Sequence, residues 1–259
     1  MSIDYTIDQR GVAQVMIDRA ERMNAIDHEA EKALENIWRT IEDDESIRLV
    51  VLTGSGEKAF CAGADMKSET GRSGLEYWTH GNPNGFGGLS LRESLTVPVI
   101  ARVNGVATGG GLEMILGCDI VIAADHARFG LPEAKVGRLP LDGGMTQLQQ
   151  RIPPTIAAGL MLTGRLMSAP QAAHFGLVNA VVPAANLDDE VQAWVRDVLA
   201  CAPLSLKAIK QSLRRAPHLS PRESRALRSE ALIRALTSAD ADEGPRAFRE
   251  KRPPQWQGQ

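Results

Sequence analysis

Two glutamates and two runs of residues with little or no side chain are the parts of this sequence that could do chemistry. The first run is Ala107-Thr-Gly-Gly-Gly-Leu-Glu113. It follows an apolar stretch, Val97 to Val103, that reads as a buried strand, and it precedes Met114 to Cys118, which reads as the start of a helix. Three consecutive glycines at such a junction let a ligand approach the backbone, and the first turn of a helix carries N–H groups without intrahelical partners. With Gly110 at the helix start, its N–H and the positive end of the helix dipole face the ligand, and Glu113 stands one turn further in. The same glycines could form only a tight turn, with Glu113 a solvated first-turn acid.

The second run is Ala59-Phe-Cys-Ala-Gly-Ala-Asp65. Ala62, Gly63 and Ala64 have so little side chain that an N–H here, that of Ala64 for example, can face a ligand. Two such donors make an oxyanion hole. Small residues equally permit close contact between strands. The second glutamate, Glu133, ends Phe129-Gly-Leu-Pro-Glu133, where Pro132 fixes the approach of the chain and blocks regular helix, so the carboxylate is expected on a loop near a strand end. Loop carboxylates are usually solvated. Two that converge on an oxyanion hole, however, are the equipment for adding or removing water beside a carbonyl. His80 has no matching nucleophile motif and reads as a surface loop residue. Gly54-Ser-Gly56 lacks the third glycine and the helix of a dinucleotide fingerprint.

The elements that must position these groups follow from periodicity. Ile3 to Ile7 and Val12 to Ile17 flank an Asp8-to-Gly11 turn, as in a hairpin. Asp27 can cap a helix in which Ala30, Ala33, Leu34, Ile37, Trp38 and Ile41 form one apolar face. Arg48 to Thr53 is then a buried strand, and strand, helix, strand is the signature of a right-handed parallel crossover. Ser68 to Ser90, with Trp78, His80 and Phe86, is poorly periodic and reads as a long loop or broken helix, a candidate pocket wall. Asp119 to Ala124 is another buried strand. Pro140 to Gly144 is a glycine-rich turn ahead of a helix, Ser168-Ala-Pro-Gln171 is a capping box, Gly176 ends its helix, and Leu177 to Val182 is a strand. From Leu187 the strands stop. Glu190 to Leu199, Leu204 to Leu213 and Pro221 to Leu236 read as amphipathic helices, the last opened by the capping box Ser220-Pro-Arg-Glu223.

The 259 residues, 43% apolar and 24% charged, are enough for a sizeable core in a soluble protein. A net charge of −3 and a pI near 6.0 argue against general nucleic-acid binding. Cys61, Cys118 and Cys201 are widely spaced, without CxxC or a His cluster, so no disulfide framework or metal site is expected and a reducing cytoplasm fits. The first residues lack a secretory pattern, and no apolar run approaches a membrane span.

With Arg19-Ala-Glu-Arg-Met-Asn-Ala25, Phe60 to Asp65, Asn104 to Glu113, Cys118-Asp-Ile-Val-Ile-Ala123 and Phe129 to Glu133 in order, the chain resembles, nearly end to end, the enoyl-CoA hydratase/isomerase (crotonase) superfamily. Within it, Arg138-Leu-Pro-Leu-Asp-Gly-Gly144, the run Gln150 to Val182 and the tail Glu243 to Arg252 resemble the carnitinyl-CoA dehydratase branch. The resemblance implies an α/β fold: a crotonase-like spiral of ββα units over residues 1–195, and a C-terminal helical region, 196–259, used for trimerisation, with trimers often paired as hexamers. It implies an acyl-CoA thioester bound with its carbonyl oxygen on the N–H groups of Ala64 and Gly110. Glu113 would hold and activate water, and Glu133 would exchange the α-proton. Coenzyme A would be part of the substrate, with no separate cofactor and no metal. Arg22, Ala62, Asp65, Met66 and Lys67 match the path of coenzyme A. Phe248 and Lys251 match tail residues that reach it across a subunit contact, although Arg22 and Lys251 read equally well as solvated charges. Asp142 departs from the small residue many hydratases carry there; it either touches a polar acyl group or caps the following helix. Rival readings are an isomerase of the same fold, needing one carboxylate, and a non-catalytic RNA-binding relative.

Overall fold

The computed structural model describes residues 2–68, 73–215 and 219–259. The front of the irregular stretch, residues 69–72 with Gly71, lies outside the described residues. Strands β1 (Ile3–Ile7) and β2 (Val12–Ile17) pair as the expected antiparallel hairpin. Helix α1 (His28–Asp43) starts where Asp27 accepts the Ala30 N–H at 2.9 Å, and it buries Ala30, Leu34, Trp38 and Ile41 at helical spacing. Beyond it β3 (Leu49–Gly54) returns parallel to β2. All of β3 is buried because alternate side chains feed two cores: Val50 and Leu52 join the α1 side, Leu49 and Val51 the opposite side.

From β3 the chain winds as a spiral. Each turn places one strand in a six-stranded sheet, ordered β1-β2-β3-β5-β7-β10, and the next in a four-stranded sheet, ordered β4-β6-β8-β9. The pairs are β3 with β4 (Ala59–Cys61), β5 (Val99–Val103) with β6 (Val106–Thr108), and β7 (Ile120–Ala124) with β8 (Arg128–Gly130). Strand β6 stands between the apolar run and the glycine helix, where the sequence suggests a direct junction. Three residues are too few to carry a period. Strand β9 (Met167–Ser168) closes the small sheet and β10 (Ala180–Val182) the large one.

Within the stretch read as a long loop or broken helix, α2 (Gly74–His80) is the helical part, its start fixed by a capping box between Ser73 and Glu76. Helix α3 (Gly110–Leu116) begins at Gly110 as expected. Its C-terminal carbonyls are met by cations: Arg151 donates to Leu116 and Cys118 at 3.0 and 2.9 Å, and Arg214 to Gly117 at 3.2 Å. These contacts complement the negative end of the helix dipole and hold the helix that carries Glu113. Helices α4 (Gly144–Arg151), α5 (Pro154–Thr163) and α6 (Ala169–His174) follow, with the Ser168 capping box formed and Gly176 left-handed after α6. Helix α7 (Leu187–Leu199) lays Leu187, Val191, Val195 and Val198 on the large sheet and so runs through residues 195 and 196. The tail adds α8 (Pro203–Arg215), α9 (Pro221–Ala226), α10 (Glu230–Leu236) and α11 (Ala239–Glu250). The single helix expected over Pro221 to Leu236 is thus two, because Leu227 is extended (φ −60°, ψ 128°) and Ser229 caps a fresh start. Among the described residues no helix is long and apolar enough to cross a membrane.

Candidate active site

The carboxyl ends of β4, β6 and β8, three neighbours in the small sheet, bring the chemistry-bearing residues together. After β4 the chain makes a parallel bridge to Ile26: the Ile26 N–H donates to the Gly63 carbonyl at 2.9 Å and the Asp65 N–H to the Ile26 carbonyl at 2.8 Å. That pattern turns the N–H of Ala64, between them, to the opposite side. After β6, Gly109 adopts a left-handed φ of +57° and Gly110 opens α3. A β-carbon on Gly63, whose φ is +95°, would lie 3.3 Å from the Gly110 nitrogen. The two backbones therefore run side by side. Among the described residues neither the Ala64 nor the Gly110 N–H has a hydrogen-bond acceptor. Two adjacent amides without acceptors, one at a helix start, are an arrangement able to hold an oxyanion.

Glu113 is only 3% exposed. Its Oε1 accepts the N–H groups of Asp142 at 2.8 Å and Gly144 at 2.9 Å. Burial pushes its carboxyl up to about 8, the like charges of Asp142 and Glu133 add to this, and the two amides pull the other way. Glu133 opens a short 3-10 turn, Glu133–Val136, with Pro132 as its N-cap, so the proline excludes α-helix but not all helical turn. Its Oε1 lies 3.2 Å from where a β-carbon on Gly109 would stand, which seats it against the start of α3. Its Oε2 is buried without a hydrogen-bond partner among the described residues, and burial raises its pKa. The two carboxyls thus lie near the same helix start, each with a proton affinity raised above that of a free glutamate, as suits a group that transfers protons.

Asp142 does not cap α4, whose N-cap is Gly143 with no side-chain bond. Its carboxylate accepts the hydroxyl of Tyr77 on α2. Burial and the Asp142 charge push the Tyr77 phenol upward. Sequence reading singled out Trp78, which is 67% exposed, and missed its neighbour Tyr77. The Ser73-x-x-Glu76 capping box was the available signal, since it fixes the phase of α2. Phe86 does line the site: its ring covers Gly110, where any β-carbon would overlap it. His80 is exposed and bonds Thr79.

The residues matched to the coenzyme A path divide. Asp65 is scaffold in part, its carboxylate held by Arg19 at 3.2 Å and by the Lys67 N–H at 3.0 Å, and lowered in pKa by these partners and by the Arg22 charge against the opposing effect of burial. Arg19 also pairs with Asp27 at 2.6 Å, a clamp sequence reading did not find. Arg22, Met66 and Lys67 are exposed around Asp65. Ala62 is tied by its N–H to the Met23 carbonyl at 3.0 Å. Phe248 is 86% exposed on α11, and Lys251 closes that helix with a left-handed φ of +53°.

A spiral of paired sheets is the crotonase-like fold, and at its strand ends stand two amides without acceptors, the buried Glu113 and the half-buried Glu133. A family model for enoyl-CoA hydratase/isomerase matches residues 8–259, and the chain belongs to that family. It is 38% identical over 263 residues to a carnitinyl-CoA dehydratase of Proteus mirabilis (strain HI4320), covering 100% of both chains. It is 40% identical to a carnitinyl-CoA dehydratase of Salmonella arizonae, again over 100% of both. The structure of an enoyl-CoA hydratase from Bacillus anthracis superposes with a TM-score of 0.92 at 32% identity, with 100% of each chain covered.

Proposed function

We propose that the chain is a hydro-lyase that adds water across the α,β double bond of an enoyl-CoA thioester, or removes it from the 3-hydroxyacyl-CoA. The observation that carries this is a pair of glutamates with raised proton affinity, the buried Glu113 within α3 and the half-buried Glu133 against Gly109, beside a helix start that also presents free amides. In the hydration direction ionised Glu113 takes a proton from water as the water oxygen bonds to the β-carbon. The double-bond electrons move onto the thioester oxygen, held as an enolate by the N–H groups of Ala64 and Gly110. Protonated Glu133 then delivers its proton to the α-carbon. Water has been added, and the proton that Glu133 lost is matched by the one Glu113 gained. Fixed donors aimed at the developing charge are worth about 3 kcal/mol each in such reactions.

The likeness to carnitinyl-CoA dehydratases supports an acyl group of that kind. Coenzyme A is read as running past Arg22, Ala62, Asp65, Met66 and Lys67, with Phe248 and Lys251 supplied from a neighbouring subunit of a cytoplasmic homotrimer or homohexamer. The exposure of Phe248 supports that arrangement. Following the loss of conjugated-thioester absorbance with crotonyl-CoA and crotonobetainyl-CoA tests the activity. Failure to turn over either substrate would sink the proposal, and sedimentation showing a monomer would sink the assembly.

A further inference from the structure

Beside the two glutamates, one more pair of polar side chains is tied together and tied to Glu113. The Asp142 N–H donates to Glu113 Oε1, and the Asp142 carboxylate accepts from the Tyr77 hydroxyl, which links α2 to the turn before α4. Gly143, at φ +113°, has no side chain with which to anchor that turn, so contacts from elsewhere must fix where its amides point. We infer that Tyr77 and Asp142 are positioning residues for Glu113: the phenol holds the Asp142 carboxylate, the held turn aims the amides of Asp142 and Gly144 at Oε1, and Oε2 is left for the reacting water. The inference rests on the hydratase reading above.

Its physical content is orientation and charge. A carboxylate with one oxygen gripped by two N–H groups keeps a single orientation, and small displacements of a catalytic group are costly. The charged groups facing Glu113 are Asp142 from the turn before α4 and Glu133 from the turn after β8, while Tyr77 on α2 is itself faced by Glu31 of α1. Among the described residues none of Glu113, Glu133 and Asp142 is paired with a lysine, arginine or histidine. An ionised Asp142 therefore raises the proton affinity of Glu113 unopposed by a cation. Burial raises the proton affinity of Asp142, and the Tyr77 hydroxyl opposes this by bonding the charged form.

The test measures kcat and KM for crotonyl-CoA hydration across the pH range in the wild type, Tyr77→Phe, Asp142→Asn and the double variant, with folding checked by circular dichroism. In both single variants kcat is expected to fall about 10-fold to 100-fold with KM within about 3-fold, as for a misaimed base. The acid limb of the kcat profile is expected to move to lower pH, because loss of the Asp142 charge makes Glu113 easier to ionise. The double variant should be no worse than Asp142→Asn alone, since the phenol acts only through that carboxylate. Tyr77→Phe removes a single oxygen and carries the test alone where Asp142→Asn does not fold. An active wild type whose variants raise only KM, leave the acid limb in place or combine additively overturns the inference. A wild type without turnover overturns the hydratase reading and the inference with it, so the two failures are distinct.

Discussion

The ring of Phe86 lies over Gly110 so closely that a β-carbon at Gly110 would overlap it. Phe86 reaches this place from the irregular stretch after α2, and it is 7% exposed there. One side of the Gly110 N–H is thereby covered with apolar surface, which strengthens any charge it meets. Gly110→Ala is therefore expected to destabilise the fold by about 1–3 kcal/mol through overpacking and, by shifting the donor, to lower kcat about 10²-fold to 10³-fold. Adding Phe86→Leu should recover part of both losses. Thermal melts and steady-state rates on the single and double variants check this; a double variant no better than Gly110→Ala would show that the ring is not the obstacle.

Removing either of the glutamates proposed to carry protons is expected to cost far more activity than stability. Glu113→Gln and Glu133→Gln keep the side-chain volume, so each should lower kcat about 10²-fold to 10⁴-fold with KM little changed. Isotope exchange at the α-carbon separates the roles: it should persist in Glu113→Gln and vanish in Glu133→Gln. Double-bond isomerisation that proceeds at full rate in Glu113→Gln would instead favour an isomerase, which needs one carboxylate.

Stability itself should depend on Glu113. Its carboxyl is raised from 4.5 to about 8 in the folded chain, chiefly by burial. Between those values the folded state holds a proton that the unfolded state has released, so this contribution is complete below the lower value and is lost as pH rises through the upper one. Glu113→Gln lacks the titration. Its melting temperature relative to wild type is expected to climb steadily from pH 5 to pH 8; curves that stay parallel over that range would contradict the burial account.

Arg92 is expected to matter at a distance. It is 2% exposed and donates to Glu42 at 2.6 and 2.9 Å, to Glu35 at 3.0 Å and to the Gly88 carbonyl at 3.0 Å. Trp38 of α1 adds a bond to the Gly87 carbonyl at 2.7 Å. Together they pin the segment that carries Phe86 onto α1. Arg92→Ala removes the buried guanidinium from the half-buried carboxylates of Glu35 and Glu42 and should cost about 1–3 kcal/mol. Chemical denaturation measures that loss, and kcat should fall with it because Phe86 loses its support; unchanged kcat in the folded fraction would rule out the link.

What the sequence determined by itself is local. A cap at Asp27, apolar residues at helical spacing in α1, a capping box at Ser168 and glycines at the start of α3 each depend on neighbours a few residues away, and all are formed. Strands such as β3 were legible because burial on both faces demands an unbroken apolar run. The family motifs add an order that single motifs lack. Tertiary structure alone decided the rest. Strand β6 exists because β4 and β8 flank it, not because Val106-Ala107-Thr108 has a pattern. Tyr77 meets Asp142 across 65 residues, while Trp78 beside it stays outside. The elevated proton affinity of Glu113 comes from burial and from Asp142 and Glu133, groups brought close only by folding. Desolvation and charge coupling depend on distance in space, and no spacing along the chain encodes them.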